Sequence, residues 1–220
     1  MLEVEKVTRS KYFRLREGAG NLQTVEWGKF SEFGNIYPLA NEKASPCLIV
    51  YVYDESENRI LSGHFAEADP DRYHELFLEN LRQVSKLARK MQSAGNICVP
   101  PAKYIPRLTN DNIDGDYQEF IRMVDRMRKL VAISGRGSVT VYLFGQNFPL
   151  YDTDDEKTRL SDLTGYIREY YWVKAQFTDA GMLMGDIYDF RQPGIDAVDH
   201  TLFLPRKGVI YHYRQKECEE

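Results

Sequence analysis

Cys47 and His64 stand seventeen residues apart in a chain of 220, and their types define a chemistry. An imidazolium beside a thiol favours the thiolate, which attacks an acyl carbon. The histidine then protonates the departing amine. A third polar side chain normally orients the imidazole. The pair can do this only if the elements that carry it bring the two side chains to one face.

Those elements read as a β-hairpin. Leu48 to Tyr53 is a β-rich run, Asp54 to Asn58 is polar turn chemistry, and Arg59 to Phe65 returns. A four-residue loop, Glu55 to Asn58, would set Tyr53 opposite Ile60 and Ile49 opposite His64; a two-residue loop, Glu55-Ser56, would shift the register by two and keep the same faces. Side chains alternate along a strand. One face then carries Leu48, Val50, Val52, Leu61, Gly63 and Phe65, all apolar, and is the expected core face. The other carries Cys47, Ile49, Tyr51, Ile60, Ser62 and His64. Cys47 and His64 become diagonal neighbours, at roughly 6–8 Å between backbones. A one-residue slip would separate them, but would also turn half the apolar set to water. Cys47 is expected to be partly exposed.

Around the hairpin, residues 1–40 read as a β-rich segment, with Tyr12 to Leu15 and Leu22 to Phe33 as strands. Asp69 and Pro70 open a helix that ends at Gly95. Residues 95–135 read as an insertion made of a loop and a second helix. That helix runs from about Asp116 and carries Tyr117, Phe120, Val124, Met127 and Val131 on one face. Ser138 to Phe144 is a strand. Thr153 and Glu156 have capping-box spacing and open a third helix through Tyr170. Met182 to Phe190 reads as a strand. Thr201 to Leu204 and Val209 to Tyr213 form a hairpin about a Pro-Arg-Lys-Gly turn. The pattern predicts a single domain, 1–220, of the α/β (α+β) class: a sandwich with a mixed, largely antiparallel sheet and packed helices.

Composition narrows the function. The 28 aromatic residues (11 Phe, 15 Tyr, 2 Trp) supply enough burial for a folded core, which excludes a disordered chain. With 29 Lys+Arg against 33 Asp+Glu the net charge is −4, so no excess of positive charge points to nucleic acid. The N-terminus is charged from its third residue and lacks a signal-peptide core, and no apolar run is long enough to span a bilayer. Three cysteines, Cys47, Cys98 and Cys218, with no CxxC, suggest neither a disulfide framework nor a zinc ribbon. A cytoplasmic protein that needs no cofactor is the expectation.

The segment Ser45-Pro46-Cys47 through Asp54, ending at Gly63-His64-Phe65, resembles the core of the chemoreceptor glutamine deamidases, the CheD family. Members begin this strand with G-S-C and place their catalytic histidine seventeen residues after the cysteine. Phe144-Gly145 is similar to the family's Gly-Gly strand end, and His200 to Arg214 is similar to its closing hairpin. The resemblance implies the α/β sandwich shared with toxin deamidases of the cytotoxic necrotising factor kind. It also implies a protein glutamine side chain as substrate. Cys47 would be the nucleophile and His64 the base and then the acid. Asn41 stands where the family has an orienting threonine. Ser45-Pro46-Cys47 replaces G-S-C, and Pro46 has no N–H to offer an oxyanion hole.

The remaining motifs carry less. Asp196, Asp199 and His200 read as an Asp-rich turn before a strand rather than a metal site. Asp152 to Glu156 reads as a helix start rather than a calcium loop. Gly135-Arg136-Gly137-Ser138 is no P-loop. Arg122 to Lys129 reads as a solvated helix face, and His74 and His212 suggest no role. Two functions follow: a cysteine hydrolase acting on an amide, or a non-catalytic protein-binding module on the same fold with the 95–135 insertion as its partner surface. An open Cys47–His64 contact would favour the first, and Cys47 buried in apolar packing the second.

Overall fold

The hairpin forms with the expected register. Strand β5 (Leu48–Asp54) pairs antiparallel with β6 (Arg59–Phe65), Tyr53 opposite Ile60 and Ile49 opposite His64. Its turn is fixed by Asp54, whose Oδ1 accepts the N–H groups of Ser56 (3.0 Å) and Glu57 (3.3 Å) and the Ser56 hydroxyl (2.8 Å). Asn58 takes the left-handed position, φ +51°, that asparagine tolerates better than most residues. The computed structural model describes residues 1–34, 37–44, 47–65, 115–147, 170, 172–192 and 197–216. The helix expected from Asp69 to Gly95 falls outside them. So does the helix opened by Thr153, except Tyr170, which is helical.

Both faces of the hairpin are buried, and the α+β sandwich expected from the sequence forms with its strands in two mixed sheets. Sheet B has the order β3 (Lys29–Gly34), β6, β5, β7 (Val139–Gly145), β8 (Ile187–Asp189), with β8 parallel to β7. Sheet A has the order β1 (Glu3–Lys6), β10 (Val209–Lys216), β9 (Ala197–Leu204), β4 (Leu39–Ala44), β2 (Gln23–Thr24). The reason is chemical: the face bearing Cys47, Ile49 and Tyr51 is too apolar for water. It packs with Leu39, Phe203 and Ile210 of sheet A.

Helices close the outer faces. Leu48, Val50, Val52, Leu61 and Phe65 pack against helix α2 (Gly115–Ser134) through Phe120, Met123, Val124 and Met127, and against residues 172–179 (α3) through Val173 and Phe177. The segment read as an insertion thus supplies part of a covering layer. Truncating Phe120 to alanine there would cost about 3–5 kcal/mol. On the outer face of sheet A, helix α1 (Arg9–Glu17) buries Tyr12 against Leu202, Tyr211 and Tyr213. The layers run α1, sheet A, sheet B, α2 with α3. Among the described residues no helix is long and apolar enough to cross a membrane.

Helix α1 corrects the strand expected at Tyr12 to Leu15. Thr8 caps it, its Oγ1 accepting the N–H of Lys11 at 3.4 Å, and Gly18 ends it with its N–H on the carbonyl of Arg14. Arg14 and Arg16 lie in its last turn, where the helix dipole favours cations. The strand expected from Met182 to Phe190 shortens to Ile187–Asp189. A turn at Gly181, φ +100°, and a single 3-10 turn at Met184–Asp186 take up the rest.

Candidate functional site

Cys47 immediately precedes β5, on the face that looks across to sheet A. It is 3% exposed, not partly exposed as the sequence suggested, and packs in the apolar layer between the sheets. Its carbonyl accepts the N–H of Gln146 at 2.8 Å, which ties it to the end of β7. Ser45 and Pro46 lie outside the described residues.

His64 occupies the same face, two residues beyond Ser62, and is 2% exposed. Its ring meets the indole of Trp27 edge-on, with centroids 5.7 Å apart, and Trp27 is itself 63% exposed. Nε2 has no hydrogen-bond partner among the described residues. Burial pushes its pKa down to about 4, and among the described residues no acid opposes that shift. The imidazole is therefore neutral near pH 7. No hydrogen bond among the described residues joins it to Cys47. The register places the two on one face, as expected.

Asn41 faces the same layer from β4, with its amide N–H groups engaged there. Its Nδ2 donates to the hydroxyls of Tyr51 and Ser62, each at 2.9 Å. The Tyr51 and Thr201 hydroxyls lie 2.9 Å apart, and Thr201 Oγ1 donates back to the Asn41 carbonyl at 3.4 Å. Since Thr201 has one hydroxyl proton, Tyr51 donates to it and the ring of bonds closes. Burial pushes the Tyr51 phenol up to about 12, against the lowering effect of its bonds with Thr201, Asn41 and Ser62. The network pins the two sheets together through Asn41 Nδ2, while Asn41 Oδ1, the atom that would accept an imidazole N–H, is buried with no hydrogen-bond partner among the described residues.

A second polar cluster escaped sequence reasoning. Asp199, fully buried on β9, accepts from Arg214 Nε at 2.7 Å and Nη2 at 2.8 Å, and from the Gly145 N–H at 2.9 Å. His212 Nε2 lies 2.9 Å from Asp199 Oδ1. Burial alone would raise the Asp199 carboxyl. The hydrogen bonds and positive charges of Arg214 and His212 outweigh that and hold it well below the ordinary range. Beside it Arg191 grips Asp189 with both Nε and Nη2, at 2.8 and 2.9 Å, and donates to Gln146 Oε1. The signal lay in the terminal hairpin. Pairing Leu204 with Val209 across the Pro-Arg-Lys-Gly turn sets Arg214 opposite Asp199. Asp199 and His200 stand in a strand and not in a turn, on opposite faces. His200 points out, stacked on Tyr213 at 5.4 Å. They cannot share a metal. Asp196 and residues 152–156 lie outside the described residues, within which no group of three His, Cys, Asp or Glu gathers to hold one.

The expected solvated face of α2 carries Arg122 on Glu119, Arg128 on Asp125 at 3.0 Å and Arg126 on Glu32 at 2.8 Å. These three arginines are met by carboxylates. No protein-family model matches this sequence, and no curated protein matches it either.

Proposed function

We propose that this chain is a non-catalytic protein-binding module built on a layered α/β sandwich, at work in a reducing cytoplasm. The observation that carries this reading is the burial of Cys47 in the apolar inter-sheet layer. A buried thiol beside a neutral imidazole is a packing element and not a nucleophile. The binding surface is the hairpin end of sheet B, where exposed apolar side chains collect. Ile133, 72% exposed, ends α2, and Ser134 of the same turn donates to Asp54. Leu183 and Met184 precede β8 at the level where β7 begins. Met1 reaches the same turn through its amino group, 2.8 Å from Glu55. Single exposed apolar side chains are ordinary; a group of them at one end of a fold suits a protein partner.

A second reading, a cysteine hydrolase acting on a protein glutamine amide, is favoured by one observation. Cys47, His64 and Asn41 all face the same inter-sheet layer, and the side chain lying over His64 is the exposed Trp27. Alkylation of the intact protein by iodoacetamide at pH 6, mapped by mass spectrometry, separates the two. In a binding module Cys47 reacts no faster than Cys98 or Cys218, and no ammonia is released from glutamine-containing proteins. Selective, fast labelling of Cys47 together with ammonia release would install the hydrolase reading.

A further inference from the structure

A cavity of about 430 Å³ opens at the end of sheet A remote from Asp199. Three segments build it. Helix α1 stops at Gly18, and the chain turns through Gly20 and Asn21, both with positive φ, to reach β2. Tyr37 and Pro38 lead into β4, with the Pro38 carbonyl accepting the N–H of Gln23 at 2.8 Å. The β9–β10 turn, Pro205–Lys207, closes the third side and is held by Gly208 in a left-handed conformation.

The lining is chemically one-sided. Tyr37, Pro38 and Leu204 offer a ring and two apolar surfaces, and Arg206 and Lys207 offer two cations. Among the described residues none of the lining is acidic, in a chain where acids outnumber Lys and Arg by 33 to 29. Other cations of this protein, such as Arg16, Arg126 and Arg214, rest on carboxylates. Neither Arg206 nor Lys207 forms an ion pair among the described residues. The Lys207 ammonium lies 5.7 Å from the Tyr211 ring centroid, which steadies it without neutralising it.

We infer that this cavity binds a small aromatic anion, its phosphate or carboxylate group held by Arg206 and Lys207 and its ring laid against Tyr37, Pro38 and Leu204. The volume falls within the ~300–1,000 Å³ typical of ligand sites. A planar guanidinium suits a two-oxygen contact with such a group. The inference does not depend on Cys47 or on a protein partner.

Phenyl phosphate is the probe, titrated into the full chain and followed by heteronuclear NMR, with inorganic phosphate and phenol in parallel. Saturable shifts confined to residues 18–21, 37–38 and 204–208 are expected. The affinity should be at least about tenfold tighter than for either fragment alone. Arg206→Ala with Lys207→Ala, both exposed turn positions, should weaken it about tenfold or more with the far-UV spectrum unchanged. Tyr37→Ala should bring phenyl phosphate down to the level of inorganic phosphate. Absence of saturation, equal affinity for phosphate and phenyl phosphate, or indifference to the double substitution would each overturn the assignment.

Discussion

Gly145 lies so close to Cys47 that a Cβ added to it would stand 2.1 Å from the Cys47 carbonyl oxygen. The same glycine has φ +79° and gives its N–H to Asp199 at 2.9 Å, while the next residue, Gln146, gives its own to Cys47. This one position therefore joins the start of β5, the end of β7 and the polar cluster of sheet A.

Gly145→Ala should be among the most damaging small substitutions in the chain. The left-handed backbone and a backbone clash act together, for a loss on the order of 3 kcal/mol. Urea unfolding measures it; a loss below about 1 kcal/mol would mean that the Cys47 segment can yield.

Asp199→Asn should cost about 3–5 kcal/mol, because it leaves the Arg214 guanidinium without its buried counter-charge and breaks the bond to His212. The pH dependence has a definite sign. The Asp199 carboxyl is held below its unfolded value of 3.8, so its contribution is complete above that pH and is lost as pH falls through the lower folded value. The acid limb of the wild-type stability profile should be shallower in the variant.

His64 acts at higher pH. Its folded pKa of about 4 lies below the unfolded 6.5, so folding favours the neutral ring. Stability is complete above pH 6.5 and declines as pH falls towards 4, by up to about 3 kcal/mol. His64→Phe should flatten that window in a series of urea melts. His200, also lowered by burial, keeps part of the slope in the variant.

Cys47→Ala should cost about 1 kcal/mol or somewhat more, since it removes a buried group from the inter-sheet layer and leaves a small void. Partner binding at the hairpin end should survive it, whereas Ile133→Asp with Met184→Asp should abolish binding with no change in melting temperature beyond a few degrees. Cross-linking mass spectrometry of the intact protein in its native lysate, wild type against the variants, reads both. Cross-links that persist undiminished in the aspartate variant would remove this end of the sandwich as the binding surface.

Local chemistry was enough to write the hairpin in the sequence. Alternation over Leu48 to Phe65 fixes which side chains share a face but leaves a two-residue or a four-residue loop open; the Asp54 side chain, bonded to Ser56 and Glu57, and Asn58 in the left-handed position go with the four-residue one. The spacing of Phe120, Val124 and Met127 likewise marks one face of α2. What lay across from each face was not local. Cys47 and His64 share a face by alternation, yet only the second sheet decides that this face is dry, that His64 is neutral and that Asn41 bonds to Tyr51 and Ser62. Asp199 meets Gly145 across 54 residues of chain. The α1 segment misled for a related reason. Its aromatic content suits a strand, and the choice of helix came from Thr8, Gly18 and the surface of sheet A that receives Tyr12. Periodicity fixes which side chains travel together; burial, protonation and partners are set by the layer that packs on top of them.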